Sequence, residues 1–260
     1  MVKAARAAGR GLARDFGEVE NLQVSKKGPG DFVTNADHRA EDVIYNELSR
    51  ARPGYGFVME ERGVVEGTDK TNRFIVDPLD GTLNFMHGIP HFAISIGHER
   101  EGELHAGVVY DVIRGDIYWA ERGHGAWLEN WRLKVATRIK LTDAVLATGT
   151  PYVGHAPERH QLFWSELAHL TQETSGIRRF GAAALDLAYV AAGRFDGFWE
   201  RNLKPWDIAA GIVLVREAGG IVQELDGGEI LKTGNILATN ASLAPKISAK
   251  LATAKSKLPS

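Results

Sequence analysis

The segment VDPLDGTLNF, residues 76–85, sets Asp77 and Asp80 three residues apart with Pro78 between them, then runs directly into Gly81 and Thr82. Two like charges ~4 Å apart repel by about 4 kcal/mol at an effective dielectric of ~20. Such a pair needs a cation between its members, a proton on one of them, or side chains that point apart. As chemistry, two carboxylates beside the Leu79 carbonyl are the hard oxygen ligands that magnesium takes. A helical turn opened by Gly81 and Thr82 would aim free N–H groups at an anion such as phosphate. As plain structure, Asp80 caps a short helix, and for this segment in isolation that is the simpler reading.

Other acids stand at other element ends. VMEERG places Glu60 and Glu61 just beyond a strand-like run, as a further metal ligand or as two solvated turn residues. KPWDIAAG sets Asp207 at the start of an otherwise apolar helix, where an N-cap stabilising by about 1 kcal/mol fits equally well. Asp37 follows Thr34 by three residues at another helix start, the spacing of a capping pair. Spacing alone does not gather these acids into one site.

The elements that must position them follow from periodicity. Val2, Ala5, Ala8, Leu12 and Phe16 share one side of a first amphipathic helix, which fits the basic, alanine-rich start better than a targeting peptide does. A loop rich in glycine and lysine, SKKGPGD, leads into a helix with Ala40, Val43, Ile44 and Leu48 inward, ended by RPG. YGFVME and RFIVDP read as strands, and residues 92–135 as a β-meander. The second half alternates: strand AVLATGT, helix PERHQLFWSELAHLTQET, short strand IRRF, helix AAALDLAYVAAG, strand FDGFWE and helix WDIAAGIVLVREAGG. A strand pair, IVQEL and NILATN, and a polar helix follow. Alternating blocks imply a layered fold, and the meander argues against a simple doubly wound parallel sheet.

Composition excludes several classes. With 31 basic and 33 acidic residues, the near-neutral balance gives no general affinity for nucleic acid or anionic membrane. No apolar run approaches the ~18 residues of a membrane span. The absence of cysteine excludes a disulfide framework, a thiolate metal site and a cysteine nucleophile, and it suits a reducing cytosol.

GDFVTNAD, the EE pair, DPLDGTLNF and WDIAAGIVLVREAGG resemble, in order and separation, the four signature segments of the inositol monophosphatase family. GAAALDLAYVAAGRFDGFWERNLKPWD is similar to its bacterial members in particular, and the likeness runs roughly from Lys3 to Asn240. The resemblance implies an α+β fold, the layered α/β/α/β/α sandwich shared with fructose-1,6-bisphosphatase. It implies one domain over residues 1–260, with closely packed halves of roughly 1–140 and 141–260, as a cytoplasmic homodimer.

The resemblance also implies roles. Glu60, Asp77 and the Leu79 carbonyl would hold one magnesium, and Asp77, Asp80 and Asp207 a second, with Glu60 reaching a weaker third through water. Thr82 with Asp37 would orient and deprotonate the attacking water, and the amides of Gly81 and Thr82 would bind phosphate. Glu200 and the Ala183 region would contact the alcohol portion of the substrate, and Lys27 would belong to a mobile flap. The implied activity is magnesium-dependent, lithium-sensitive hydrolysis of myo-inositol monophosphates and similar small phosphorylated alcohols. Relatives in the fold cleave fructose 1,6-bisphosphate, histidinol phosphate or adenosine 3',5'-bisphosphate, with selection resting on contacts around Glu200 and Thr150. A regulatory association with transcription machinery is the alternative of another class, added to catalysis because the ligand acids are complete.

The departures and remaining motifs are few. Arg62 follows the glutamates where bacterial members commonly have serine, and its charge is expected near the metal mouth. Asp186 and Trp131 read as structural. His87 and His91 in HGIPH have the spacing of a zinc pair, but glycine and proline between them spoil a helix. RGHGAW reads as a turn, and RRF at 178–180 as a solvated edge or dimer contact.

Overall fold

The computed structural model describes residues 1–18, 24–28 and 31–257, with the backbone path alone for 24–28 and 31–33. The first half runs α1 (Val2–Phe16), β1 (Val24–Gly28), β2 (Asp31–Thr34), α2 (Asn35–Ala51), β3 (Gly56–Met59), β4 (Gly63–Val65), β5 (Asn72–Asp80) and α3 (Thr82–Met86). The meander follows as β6 (Ala93–Arg100), β7 (Glu103–Asp111), β8 (Asp116–Glu121), β9 (Gly125–Leu128) and β10 (Trp131–Arg132). The second half runs β11 (Val145–Thr148), α4 (Pro157–Thr171), β12 (Gly176–Arg178), α5 (Ala183–Ala191), β13 (Gly197–Glu200) and α6 (Pro205–Glu217). It closes with β14 (Ile221–Glu224), α7 (Ile230–Thr233), β15 (Ile236–Thr239) and α8 (Ala244–Ser256).

The apolar stripes dictate the layers. Ala4, Ala5, Ala8 and Leu12 of α1 and Ala36, Ala40, Ile44 and Leu48 of α2 are buried, and the pair lies on one face of an eight-stranded sheet. That sheet has the order β10-β9-β8-β7-β6-β5-β3-β4, antiparallel except where β3 meets β5. α5 is buried at every position and α6 from Ile208 to Val215; helices apolar on nearly every side must lie inside. They form a middle layer between the large sheet and a five-stranded sheet ordered β12-β11-β13-β15-β14. α4 and α8 cover the far face of the smaller sheet. The result is the α/β/α/β/α sandwich with the meander in its larger sheet. No helix among the described residues is long and apolar enough to cross a membrane.

Three local expectations need correction. Much of the SKKGPGD stretch is not loop, because β1 and β2 pair as an antiparallel ribbon. Lys27 lies in β1, and its side chain falls outside the described residues. Val43 is 37% exposed, since the core-facing stripe of α2 runs through Ala40, Ile44 and Leu48 and passes it by. Trp131, on the edge strand β10, is 79% exposed and packs no core.

The middle layer sits close to the large sheet because two strands carry glycine where α6 crosses. A methyl group at Gly107 would lie 2.5 Å from the Ala210 carbonyl oxygen and 2.8 Å from its Cα, and one at Gly97 would lie 2.8 Å from the Ala209 Cβ. Gly107→Ala should therefore push α6 outward and cost about 1–3 kcal/mol, a loss of roughly 2–4 °C in melting temperature per kcal/mol. Calorimetry checks this, and an unchanged melting temperature would mean that α6 is not seated as described.

Candidate active site

Asp77 and Asp80 lie on one strand, and in a regular strand residues three apart face opposite sides. β5 is not regular there. Asp77 pairs with Ser95 and Asp80 with Ala93, so three steps on β5 oppose two on β6. The extra residue is a bulge, and it turns both carboxylates to the same face. Pro78 has no N–H to donate, so a bulge is where a strand tolerates it. The Leu79 N–H donates to Asp77 Oδ1 at 2.9 Å, fixing that side chain against the turn. The two acids are directed together, into the protein.

Neighbouring elements bring the other acids to the same place. The Glu60 N–H donates to the Val76 carbonyl at 3.2 Å, extending the parallel β3–β5 pairing and setting Glu60 beside Asp77. Ser95 Oγ, opposite Asp77, donates to the Trp206 carbonyl at 3.0 Å and pins the start of α6 to the sheet. Asp207 follows directly. It is not the N-cap of α6 but the third helical residue, and its Oδ2 accepts the Lys204 N–H at 2.7 Å. Asp80 Oδ2 accepts the Ala184 N–H at 2.7 Å, which ties it to the start of α5 beside Ala183.

A second constellation adjoins the first. Thr34 caps α2: its Oγ1 accepts the Ala36 N–H, and its N–H and hydroxyl both donate to Asp37 Oδ2. Asp37 has no solvent exposure. Thr82 Oγ1 lies 3.1 Å from Asp37 Oδ1 and 3.0 Å from the Leu79 carbonyl. A hydroxyl has one proton, so these are alternative donations. Gly81, at φ +96°, makes the turn between Asp80 and Thr82 that few other residues would accept.

Glu200, at the end of β13, closes the far side, where a cleft of about 320 Å³ is lined by it, Asp207 and the segment Thr148–Thr150. A methyl group at Gly149 would overlap the Glu200 carboxylate, so glycine there makes room for it.

The electrostatics follow from this crowding. Burial, then Glu60, Asp80 and Asp207, lifts Asp77 well above the usual carboxylate range. Burial, then Asp207, does the same to Asp80 despite the Ala184 N–H. Glu200 is pushed up to about 8 by burial and by Asp207, against Arg179 and the Gly149 backbone. Buried oxygen donors that destabilise one another's charge are the donor set that hard divalent cations bind. Among the described residues no group of three or more acids or histidines is arranged so that it could hold a metal ion; the acids lie close enough to act on one another's charge.

The family is decided by the whole chain. The model of the Inositol monophosphatase family matches residues 1–257. The chain belongs to the inositol monophosphatase family. A protein of Mesorhizobium japonicum named inositol-1-monophosphatase is 59% identical over 92% of this chain and 90% of its own. The Nus factor SuhB of Escherichia coli K12 is 45% identical over 92% and 89% respectively. The crystal structure of the extragenic suppressor protein suhB from Bartonella henselae superposes with a TM-score of 0.93, at 55% identity and 96% coverage of both chains. Inositol monophosphatase family members are generally metal-dependent phosphatases, which agrees with the donor set here.

Several motifs find other uses. Arg62 does not face the metal mouth: its guanidinium lies 4.4 Å over the Tyr45 ring and pairs with Asp42, because α2 offers it those partners. His87 is exposed while His91 packs against Phe180 and Tyr189, so they do not pair. Burial holds His91 down at about 4, hence neutral. RGHGAW is a turn whose Gly123 and Gly125 N–H groups donate to Glu217. Arg179 donates to Thr150 Oγ1 at 3.1 Å, and Phe180 is partly exposed. Asp186 is buried beside Asp80 and Glu200, with Oδ1 unpartnered. Sequence reasoning missed Asn84, whose amide donates to the carbonyls of His91 and Phe180 and joins the two halves of the chain behind the site. Its signal was a polar residue inside LNF, on the inward side of a single helical turn.

Glu200 generates a pH prediction for the metal-free protein. Its folded pKa of about 8 exceeds the ordinary 4.5, so the native state keeps a proton that the unfolded state releases across that window. Stability is therefore complete below the lower value and falls as pH rises toward the upper one. With chelator present, the melting temperature should drop between pH 5 and pH 8, and Glu200→Gln should flatten the drop. A wild-type profile that rises over this range would contradict the crowding.

Proposed function

We propose that this chain is a magnesium-dependent phosphomonoesterase that hydrolyses myo-inositol monophosphates and similar small phosphorylated alcohols. The observation that carries the reading is the bulge of β5, which aims Asp77 and Asp80 at one space beside the Asp37–Thr82 pair. The name of the Mesorhizobium relative supports the substrate. Glu60, Asp77, Asp80, Asp207 and the Leu79 carbonyl would hold two magnesium ions, with Glu60 reaching a third through water. Bound there, magnesium supplies Lewis acidity toward water and phosphate oxygens and neutralises phosphate charge.

The chain's own groups do the rest. Thr82 donates to Asp37, which leaves its Oγ1 lone pairs to accept from the attacking water and aim it in line with phosphorus. Asp37 takes up the proton passed through that hydroxyl, its Oδ2 still held by Thr34. The amides of Gly81 and Thr82 face the phosphate oxygens, where fixed donors stabilise charge as it moves. Glu200 and the start of α5 at Ala183 meet the alcohol, and Glu200 accepts from its hydroxyls. In this reading the two halves of residues 1–260 act as one domain, since Asp80 and Asp207 come from opposite halves and share one task. The same family membership supports a cytoplasmic homodimer inhibited by lithium. The Escherichia coli relative's name, Nus factor, supports an added role toward transcription machinery. A metal-site variant that still captured such a partner would separate that role from catalysis.

Two variants test the catalytic reading. Thr82→Ala should lower kcat by about 10²-fold or more while leaving the magnesium-induced thermal shift nearly intact, because a proton path is lost but no carboxylate. Retention of half the wild-type kcat would remove Thr82 from the mechanism. Asp80→Asn keeps an acceptor for the Ala184 N–H and relieves repulsion, so without metal it should melt no lower than wild type. Magnesium at ~100 times its Kd stabilises wild type by about 2.7 kcal/mol per ion, and the variant should gain much less. Equal gains would show that Asp80 is not a ligand.

A further inference from the structure

The turn that carries Glu60 has little structure of its own. It joins β3 to β4, and Gly63 completes it at φ +75°. A ligand on such a turn stays in place only if something fixes the backbone beneath it. α2 provides that support. Glu41 is 2% exposed, and its Oε2 accepts the Glu61 N–H at 2.8 Å. The Arg62 N–H faces the same carboxylate, and the Arg62 guanidinium comes within 3.7 Å of Oε1 before folding over Tyr45 toward Asp42. A carboxylate taken out of water is costly unless hydrogen bonds compensate it; here the Glu41 carboxylate accepts from the backbone N–H groups of the two residues that follow Glu60.

We infer that Glu41 is a positioning residue that holds the Glu60 carboxylate in the metal site by clamping the backbone of Glu61 and Arg62 to α2. Asp37 lies four residues earlier, on the same face of that helix. One helix therefore sets the group that receives the water's proton and, one turn later, the group that reaches the metal. The inference rests on the reading of Glu60 as a metal ligand. Outer partners of metal ligands are worth about 10–100-fold in affinity, and a backbone clamp acts in the same way. Arg62, paired with Asp42 on the same helix, closes the clamp from outside.

The test titrates magnesium into wild type, Glu41→Met, Glu41→Gln and Glu60→Gln, reading the thermal shift as well as phosphate release. Glu41→Met fills the space but cannot accept an N–H, and the magnesium needed for half-maximal response should rise about tenfold in both readouts. Substrate KM at saturating magnesium should stay within about twofold. Glu41→Gln keeps an acceptor oxygen and should recover most of the loss. A rise below about fivefold in Glu41→Met, or a Glu41→Gln as impaired as Glu41→Met, would overturn the inference. If Glu41→Met does not fold, Glu41→Asp, which withdraws the acceptor by one methylene, carries the same expectation. A Glu60→Gln that leaves the magnesium response unchanged would overturn the ligand reading itself. A Glu60→Gln that weakens the response while Glu41→Met does not would overturn the clamp alone.

Discussion

Repulsion among buried carboxylates is the constraint around which this fold is arranged. Asp77 and Asp80 are almost fully buried, and the groups that act most strongly on Asp77 after burial are further acids. Left to itself, a strand would face the two to opposite sides, and the conflict would not arise. The bulge at Pro78 creates the conflict, and hydrogen bonds from the Leu79 and Ala184 N–H groups hold it in place. Both are backbone donors, which soften a carboxylate's charge without cancelling it. The crowding thereby stays only partly relieved, which is why both pKa values remain raised.

Holding acids together requires rigid surroundings, and the layers supply them. α6 delivers Asp207 from the second half of the chain. It can approach β6 and β7 because Gly97 and Gly107 leave no side chain in the way. Ser95 then fixes the register between helix and sheet at the residue opposite Asp77. On the other face, α2 packs its apolar stripe against the same sheet and presents Asp37 at its start. Helices on both faces of one sheet thus meet around one strand end. Glu200 completes the ring from the smaller sheet, so each layer between α2 and β13 contributes a group.

Much of this was legible in the sequence, for physical reasons that differ by residue. The amphipathic stripe of α1, the meander and the largely apolar runs of α5 and α6 are written in the hydrophobic pattern. Joint spacing of the acid segments marked Asp37, Glu60, Asp77, Asp80 and Asp207 through family resemblance, though alone Asp37, Asp80 and Asp207 fitted caps and Glu60 a solvated turn. Two support caps without being them: from the third helical position, Asp37 accepts from the N–H of Thr34 and Asp207 from that of Lys204. What stayed hidden depends on contacts distant in the chain. Nothing local tells that Asn84 bridges to Phe180, that Ala184 donates to Asp80, or that Arg62 turns toward Tyr45. The bulge was hidden too, since proline announces an interruption but not the direction in which the next acid faces.

Under the proposed mechanism, the same logic favours Asp37 as proton acceptor over an acid of the crowded set. An acid that holds a cation must stay charged, and a base must change its charge during each turnover. Asp37 stands apart, linked to the crowded set through the Thr82 hydroxyl, which also reaches the Leu79 carbonyl. Burial raises its pKa, while donors from Thr34 and Thr82 oppose the rise. A base works best when its pKa approaches the working pH without passing it, and under the proposed mechanism the upward direction set by burial would suit Asp37 to that role. Thr34 then has two duties: it caps α2, and it keeps one oxygen of Asp37 occupied so that the other faces Thr82. Under the proposed mechanism, helix capping and proton transfer would use the same hydrogen bonds, so rebuilding the start of α2 for stability would retune the chemistry.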